Sequence, residues 1–304
     1  MSLESISKIK EVIEAKELTL SNEVKKILGK KLSKKAENIS KKIRVYRIIY
    51  KSNKNKVVGY ILEPKLLKNK LPCIIWNRGG SRDFGAIKMG KLFGGFGFMA
   101  ELCLEGYIVI ATQYPGVAGG TGIDKMGGKE DIDSVLDLYK ILKSYKKADT
   151  SRVGMIGHSR GGLMTYLSLK KVKWIKAAVI GSAPTDEVNA HKFRKDWLKH
   201  QITLYGGGLD ERKKRSPILW ANKLDKKPIL LVHGTSDWRV NPLNSINMAE
   251  KLLINKVPYK LIIYEGDDHG LNKNFEDYKK QTFEWFNRFV KNKGKMPNLK
   301  PHGP

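Results

Sequence analysis

The chain has 304 residues, 41% of them hydrophobic, with 58 lysines and arginines against 30 aspartates and glutamates. That length suits one large α/β core of about 250 residues plus an extension, the composition excludes fibrous and disordered classes, and no run approaches the ~18 apolar residues of a membrane span. The formal charge of +28 would draw a polyanion, but the lysines are spread along the whole chain with no run of five basic residues and no aromatic side chains interleaved for base stacking, so no specific nucleic-acid partner is expected.

Residues 1–42 read as a helical extension of two or three amphipathic pieces, with Ile6, Ile9, Val12 and Ile13 on one face and Val24, Ile27, Leu28 and Leu32 on another after a break near Ser21. Glu4, Glu11 and Glu14 interrupt the first piece, which therefore lacks the apolar core of a secretory signal, and a cytoplasmic protein is expected. The two cysteines, Cys73 and Cys103, show neither a metal-ligand spacing nor a disulfide framework and read as reduced core thiols.

A domain over 43–304 begins with a hairpin, Ile43–Tyr50 and Val57–Glu63 around a polar Lys51-Ser52-Asn53-Lys54-Asn55-Lys56 turn. Short apolar runs then recur at Cys73–Asn77, Tyr107–Thr112, Val153–Gly157, Lys176–Ser182, Pro228–His233 and Tyr259–Glu265, with helical periods between them. The clearest of these periods joins Phe275, Tyr278, Thr282, Trp285, Phe286, Phe289 and Val290. Alternation of this kind builds an α/β fold with a mostly parallel central sheet, helices on both faces and chemistry at the carboxyl ends of the strands. Residues 183–227 are too many for a simple connection and form a candidate lid, where Trp197, Tyr205 and Trp220 could line a pocket or pack as core.

Gly157-His158-Ser159-Arg160-Gly161-Gly162 follows one of these strands and precedes a helical run. Small residues around a serine on a strand-to-helix turn mark a nucleophile elbow, because the turn is strained and backbone must pass close by. The Arg160 N–H then opens a helix and aims at a developing oxyanion. A serine hydroxyl needs a base. His191, His200 and His302 follow no strand, and His158 adjoins the serine with its side chain directed elsewhere, which leaves His233 and His269. His269 is favoured because the order serine, acid, histidine is that of the α/β-hydrolase fold. Asp237, after the Pro228–His233 run, then serves as the orienting acid. Asp267 and Asp268 adjoin the histidine, and Asp225 precedes its strand. The second oxyanion donor is expected in Asn77-Arg78-Gly79-Gly80-Ser81, from Arg78 or Gly79. No metal or organic cofactor is expected.

At these residues, and at Gln113-Tyr114-Pro115-Gly116, Arg215-Ser216-Pro217-Ile218 and Asp237-Trp238-Arg239-Val240, the chain resembles the catalytic domain of the prolyl oligopeptidase family over about 57–292. The resemblance implies a serine hydrolase with Ser159, Asp237 and His269 in the roles above. The roughly 56 residues that precede it are too few for the β-propeller of the large peptidases. Arg78 stands where peptidase members carry a tyrosine that assists the oxyanion. The expected substrate is thus a small carboxylic ester or acyl compound, with a short peptide or aminoacyl amide as the alternative and a non-catalytic binding protein on the same fold as a third reading.

Overall fold

The computed structural model describes residues 3–19, 34, 36–66, 69–88 and 95–302. Among the described residues, nine strands form one sheet in the order β1-β2-β3-β5-β4-β6-β7-β8-β9. The chain divides into two compact units, Met1–Val153 and Gly154–Pro304.

The first unit opens with α1 (Leu3–Ser7) and β1 (Val12–Leu18), followed by a helix, α2, over 36–42. The helical reading of the extension is corrected at β1, which pairs antiparallel with β2 (Ile43–Ser52). The apolar spacing holds for Ile6, Ile9 and Val12, all buried. At Ile13 a register shift bulges the strand, and that side chain is 51% exposed. Pairing along a whole strand outweighs one turn of helical patterning. The second helix expected over Val24–Leu32 falls outside the described residues.

β2 and β3 (Asn55–Pro64) form the expected hairpin, turning at Asn53 with φ 52°. Asparagine tolerates that left-handed conformation. Then come β4 (Leu71–Asn77), α3 (Gly95–Leu104), β5 (Ile108–Thr112) and α4 (Lys129–Ser144). The side chain of Asp131, three residues into α4, accepts from the Gly127 and Gly128 amides and caps the helix start. Cys73 and Cys103 are free and fully buried, as their sequence context required.

β6 (Ala148–His158) carries the chain into the second unit, where α5 (Arg160–Leu169) and β7 (Ile175–Gly181) follow. The long connection folds into α6 (Ala190–Phe193), α7 (Trp197–Tyr205), α8 (Leu209–Lys214) and two short 3-10 turns. β8 (Ile229–Gly234), α9 (Leu243–Ile254), β9 (Tyr259–Tyr264) and α10 (Phe275–Phe286) complete it. β7, β8 and β9 run parallel, and every residue of β8 is buried. Strands covered on both faces read as continuous apolar runs, which is why β7 and β8 stood out in the sequence.

The first unit contains a buried charge at Glu63, fully shielded from solvent. It accepts from Tyr145 at 2.5 Å, Tyr46 at 3.2 Å and the Lys147 ammonium at 2.9 Å. Removing one partner of a buried ion pair leaves the other uncompensated, typically at about 3–5 kcal/mol. Glu63→Ala is therefore expected to lower the urea midpoint by an amount equivalent to that loss. An unchanged midpoint would mean the network contributes nothing to stability.

Candidate active site

The turn after β6 sets the site. Ser159 has φ 57° and ψ −126°, a conformation that costs a non-glycine residue strain and persists only where neighbours hold it. Its amide donates to the Gly181 carbonyl at 2.7 Å, and its carbonyl accepts from Gly162 at 2.9 Å. A Cβ on Gly157 would lie 2.0 Å from the Gly161 carbonyl oxygen, so only glycine fits at the start of the turn. α5 begins at Arg160, which puts its amide at the positive end of a helix.

His269 lies in the loop between β9 and α10, and its Nε2 is 2.9 Å from Ser159 Oγ. Its Nδ1 is 2.7 Å from Asp237 Oδ2. A carboxylate only accepts, so Nδ1 carries the hydrogen and Nε2 is left to take the serine proton. The Asp237 carboxylate is buried, with Oδ1 accepting from the Arg239 and Val240 amides at 2.8 and 3.0 Å. Oδ2 also takes a bond from His233 Nε2 at 3.0 Å. Burial by itself would raise the pKa of this acid, but the bonds from His233 and His269 together with the backbone amides hold it well below the usual carboxylate range. His233, wholly buried, completes its own pairing through Nδ1 to Ser245 Oγ at 2.7 Å. Of the two strand-following histidines, His269 alone reaches Ser159; His233 braces the acid from behind.

His158 was set aside in the sequence as a base, and its ring does point elsewhere. Its Nε2 donates to the carbonyl oxygen of His269 at 2.6 Å, so it grips the backbone of the loop that presents the imidazole. Gly181 leaves room for that ring, since a Cβ there would come within 2.6 Å of His158 Nδ1. Burial first, and the neighbouring His269 second, push the His158 pKa down to about 3. Neither the His158 contact nor the His233–Ser245 pair was visible in the sequence, where a histidine carries no sign of its partner.

The remaining acids have other duties. Asp267 accepts from the Lys273 and Asn274 amides at the start of α10, and Asp268 from Gly270 and Asn272. Asp225 pairs with Lys227 ahead of β8. In the candidate lid, the Trp197 indole and the Tyr205 hydroxyl donate to Glu187 at 3.0 and 3.2 Å, and Gln201 donates at 2.6 Å. Burial raises the pKa of that acid despite these donors. Trp220 is buried with the Lys170 ammonium 4.2 Å from its ring. These aromatic side chains are therefore committed to structure, and Glu187 is the organising residue that no sequence pattern marked. Among the described residues, no group of three His, Cys, Asp or Glu side chains could hold a metal ion.

Within the first unit, Arg78 does not turn to solvent. It is 2% exposed, donates to the carbonyls of Gln113, Arg82, Gly79 and Phe84, and lies 4.9 Å from the Tyr114 ring and 3.7 Å from Asp124. The guanidinium clamps its own loop. Its charge is thus spent on backbone carbonyls, and the side chain does not stand in for the tyrosine hydroxyl that peptidase members carry at this position.

A histidine held neutral in the fold costs stability once the unfolded chain can take up the proton. For His158 the unfolded value is about 6.5 and the folded one about 3, so stability is full above the former and falls as pH drops towards the latter. Between pH 7 and pH 5 the loss is about 2 kcal/mol. His158→Gln should reduce the difference in unfolding free energy between those two pH values by that amount; an identical difference in both proteins would refute the assignment.

The family model described as the prolyl oligopeptidase family matches residues 96–293. The uncharacterized peptidase YtmA of Bacillus subtilis is 27% identical over 218 residues, covering 70% of this chain and 81% of that protein. Dipeptidyl-peptidase 5 of Porphyromonas gingivalis is 24% identical over 254 residues, covering 78% of this chain but 36% of that one. Among solved structures, Pyrococcus horikoshii acylaminoacyl peptidase superposes with a TM-score of 0.75 at 20% identity, covering 89% of this chain and 45% of that chain. The chain thus spans most of one relative and less than half of the others. With the sheet and helices of an α/β hydrolase and a family match over well more than half its length, the chain belongs to the prolyl oligopeptidase family of serine hydrolases.

Proposed function

We propose that the chain cleaves the amide bond of short peptides or aminoacyl compounds through an acyl-enzyme formed on Ser159. The hydrogen-bonded series Ser159–His269–Asp237 carries this reading. His269 Nε2 takes the serine proton as Oγ adds to the carbonyl, then returns it to the departing amine. Water enters next, gives a proton to the same nitrogen and releases the acid, restoring Ser159. Asp237 stays ionised throughout and stabilises the imidazolium. The Arg160 amide at the start of α5 is assigned to the oxyanion.

Peptide rather than ester substrates are favoured because the relatives that match are named as peptidases, including one covered over 81% of its length. The same machinery splits activated esters, which demand less transition-state stabilisation. Turnover of an aminoacyl anilide at a rate well above background, abolished in Ser159→Ala, is the expected result. The loss should reach roughly 10⁴-fold or more. Ester turnover with no detectable anilide cleavage across a panel of aminoacyl groups would return the assignment to an esterase.

The two histidines on Asp237 separate cleanly by labelling. His269→Ala should abolish reaction with a fluorophosphonate probe, since no group is left to take the serine proton. His233→Leu removes one donor from the acid while leaving the base in place, and should slow labelling without abolishing it. The reverse ranking would overturn the choice of base.

A further inference from the structure

The parallel strands of the Gly154–Pro304 unit give it two chemically different ends. At the carboxyl ends, residues 182–189, 235–242 and 265–277 hold eight acids against two basic residues, Arg239 and Lys273. At the amino ends the balance inverts. Residues 170–176 and 223–228 lead into β7 and β8. The start of β8 is tied to β7 by the Ala178 amide bonding the Pro228 carbonyl, and to the start of β9 by the Ile229 amide bonding the Pro258 carbonyl.

Two helices finish at this same end. α9 starts beside the ends of β7 and β8, where Asn244 bonds Thr185 and Ser245 bonds His233, and it runs back to Ile254. α10 starts with Tyr278 packed near Gly181, the last residue of β7, and residues 287–291 return to β7. The four segments 170–176, 223–228, 251–258 and 288–295 together carry thirteen lysines and arginines and a single acid, Asp225. Cations favour helix C-termini, but the 223–228 group follows no α-helix and Lys176 lies inside a strand, so helix dipoles do not account for the segregation. Electrostatic crowding is direct at Lys170, whose pKa is lowered by burial and then by Lys223 and Lys171.

Among these lysines, Leu253 and Ile254 stand at the tip of α9, 64% and 63% exposed. We propose that this end of the unit docks on an anionic lipid membrane, with the lysines facing the headgroups and the Leu253–Ile254 pair entering the interface. The apolar pair decides between polyanions: a bilayer interface takes up aliphatic side chains, whereas a nucleic-acid backbone offers them nothing. Docked this way, the carboxyl ends of the strands, with Ser159 and His269, face the aqueous phase.

The test is flotation of the purified chain with phosphatidylcholine vesicles, with and without phosphatidylglycerol. Binding should require the anionic lipid and fall with added salt. The triple variant Lys171→Glu, Lys173→Glu, Lys226→Glu should lower the partition coefficient at least about tenfold. A variant of equal charge change in the 183–227 segment, Lys192→Glu, Lys195→Glu, Lys199→Glu, should stay within about twofold of the parent. Leu253→Ser with Ile254→Ser should weaken binding at constant charge, and fluorophosphonate labelling of every variant checks that it is folded. Equal losses in the two charge variants would overturn the proposal in favour of general attraction by a basic protein. So would an absence of binding to anionic vesicles, or an unaffected Leu253/Ile254 variant whose vesicle binding is abolished by duplex DNA.

Discussion

A carboxylate removed from water must be given hydrogen bonds or it will take up a proton. Asp237 is given four, two from backbone amides and two from imidazoles. The amide bonds fix the path of the chain just beyond β8. The bond to His269 fixes the tautomer of that ring and leaves one nitrogen bare towards Ser159. The bond from His233 reaches the same oxygen from the buried side and is itself tied to α9 through Ser245. Two strands and a helix thus converge on one charge, and the strained serine turn has a partner only because that charge stays ionised.

The parts of this arrangement that the sequence made legible are those governed by periodicity and chain order. The strands that precede Ser159, Asp237 and His269 end within a few residues of their expected ends. β8 is buried throughout and β6 over Val153–Gly157, so both read as apolar runs, while β9 shows as a short run of Leu261, Ile262 and Ile263 before the turn at Gly266. Glycine at 157 was legible too, since the elbow tolerates nothing larger there. Side-chain partnerships were not. Arg78 sits beside a glycine pair whether it reads a ligand or clamps its own loop, and the carbonyls it bonds come from residues up to 35 positions away. The edge strand β1 was hidden for a related reason, as its pairing with β2 is a contact between distant residues and leaves no local period.

The C-terminal unit also separates its charges along the strand direction. Acids gather where helices and loops begin after the strands, in positions where they cap amides, as Asp267 does for α10. Lysines gather where helices end. The common direction of the helices in a parallel α/β layer rewards anions at their starts and cations at their ends, but it leaves Lys176 and the 223–228 group unexplained. A protein with so large an excess of lysine amplifies the pattern, so a fold-level tendency becomes a surface with a definite sign.

β1 protects as well as extends the sheet. It carries exposed charges of both signs at Glu14, Lys16 and Glu17. Such residues discourage a further strand from adding to the edge. Beneath it β2 carries Ile43, Val45, Tyr46, Ile48 and Tyr50, all buried. A recombinant fragment cut back to the start of β2 would keep Ser159, Asp237 and His269 and yet expose an apolar strand with its hydrogen-bonding edge open. Its failure would appear as precipitation on concentration rather than as lost chemistry, so the N-terminal eighteen residues are a solubility element that any trimming for crystallisation has to retain.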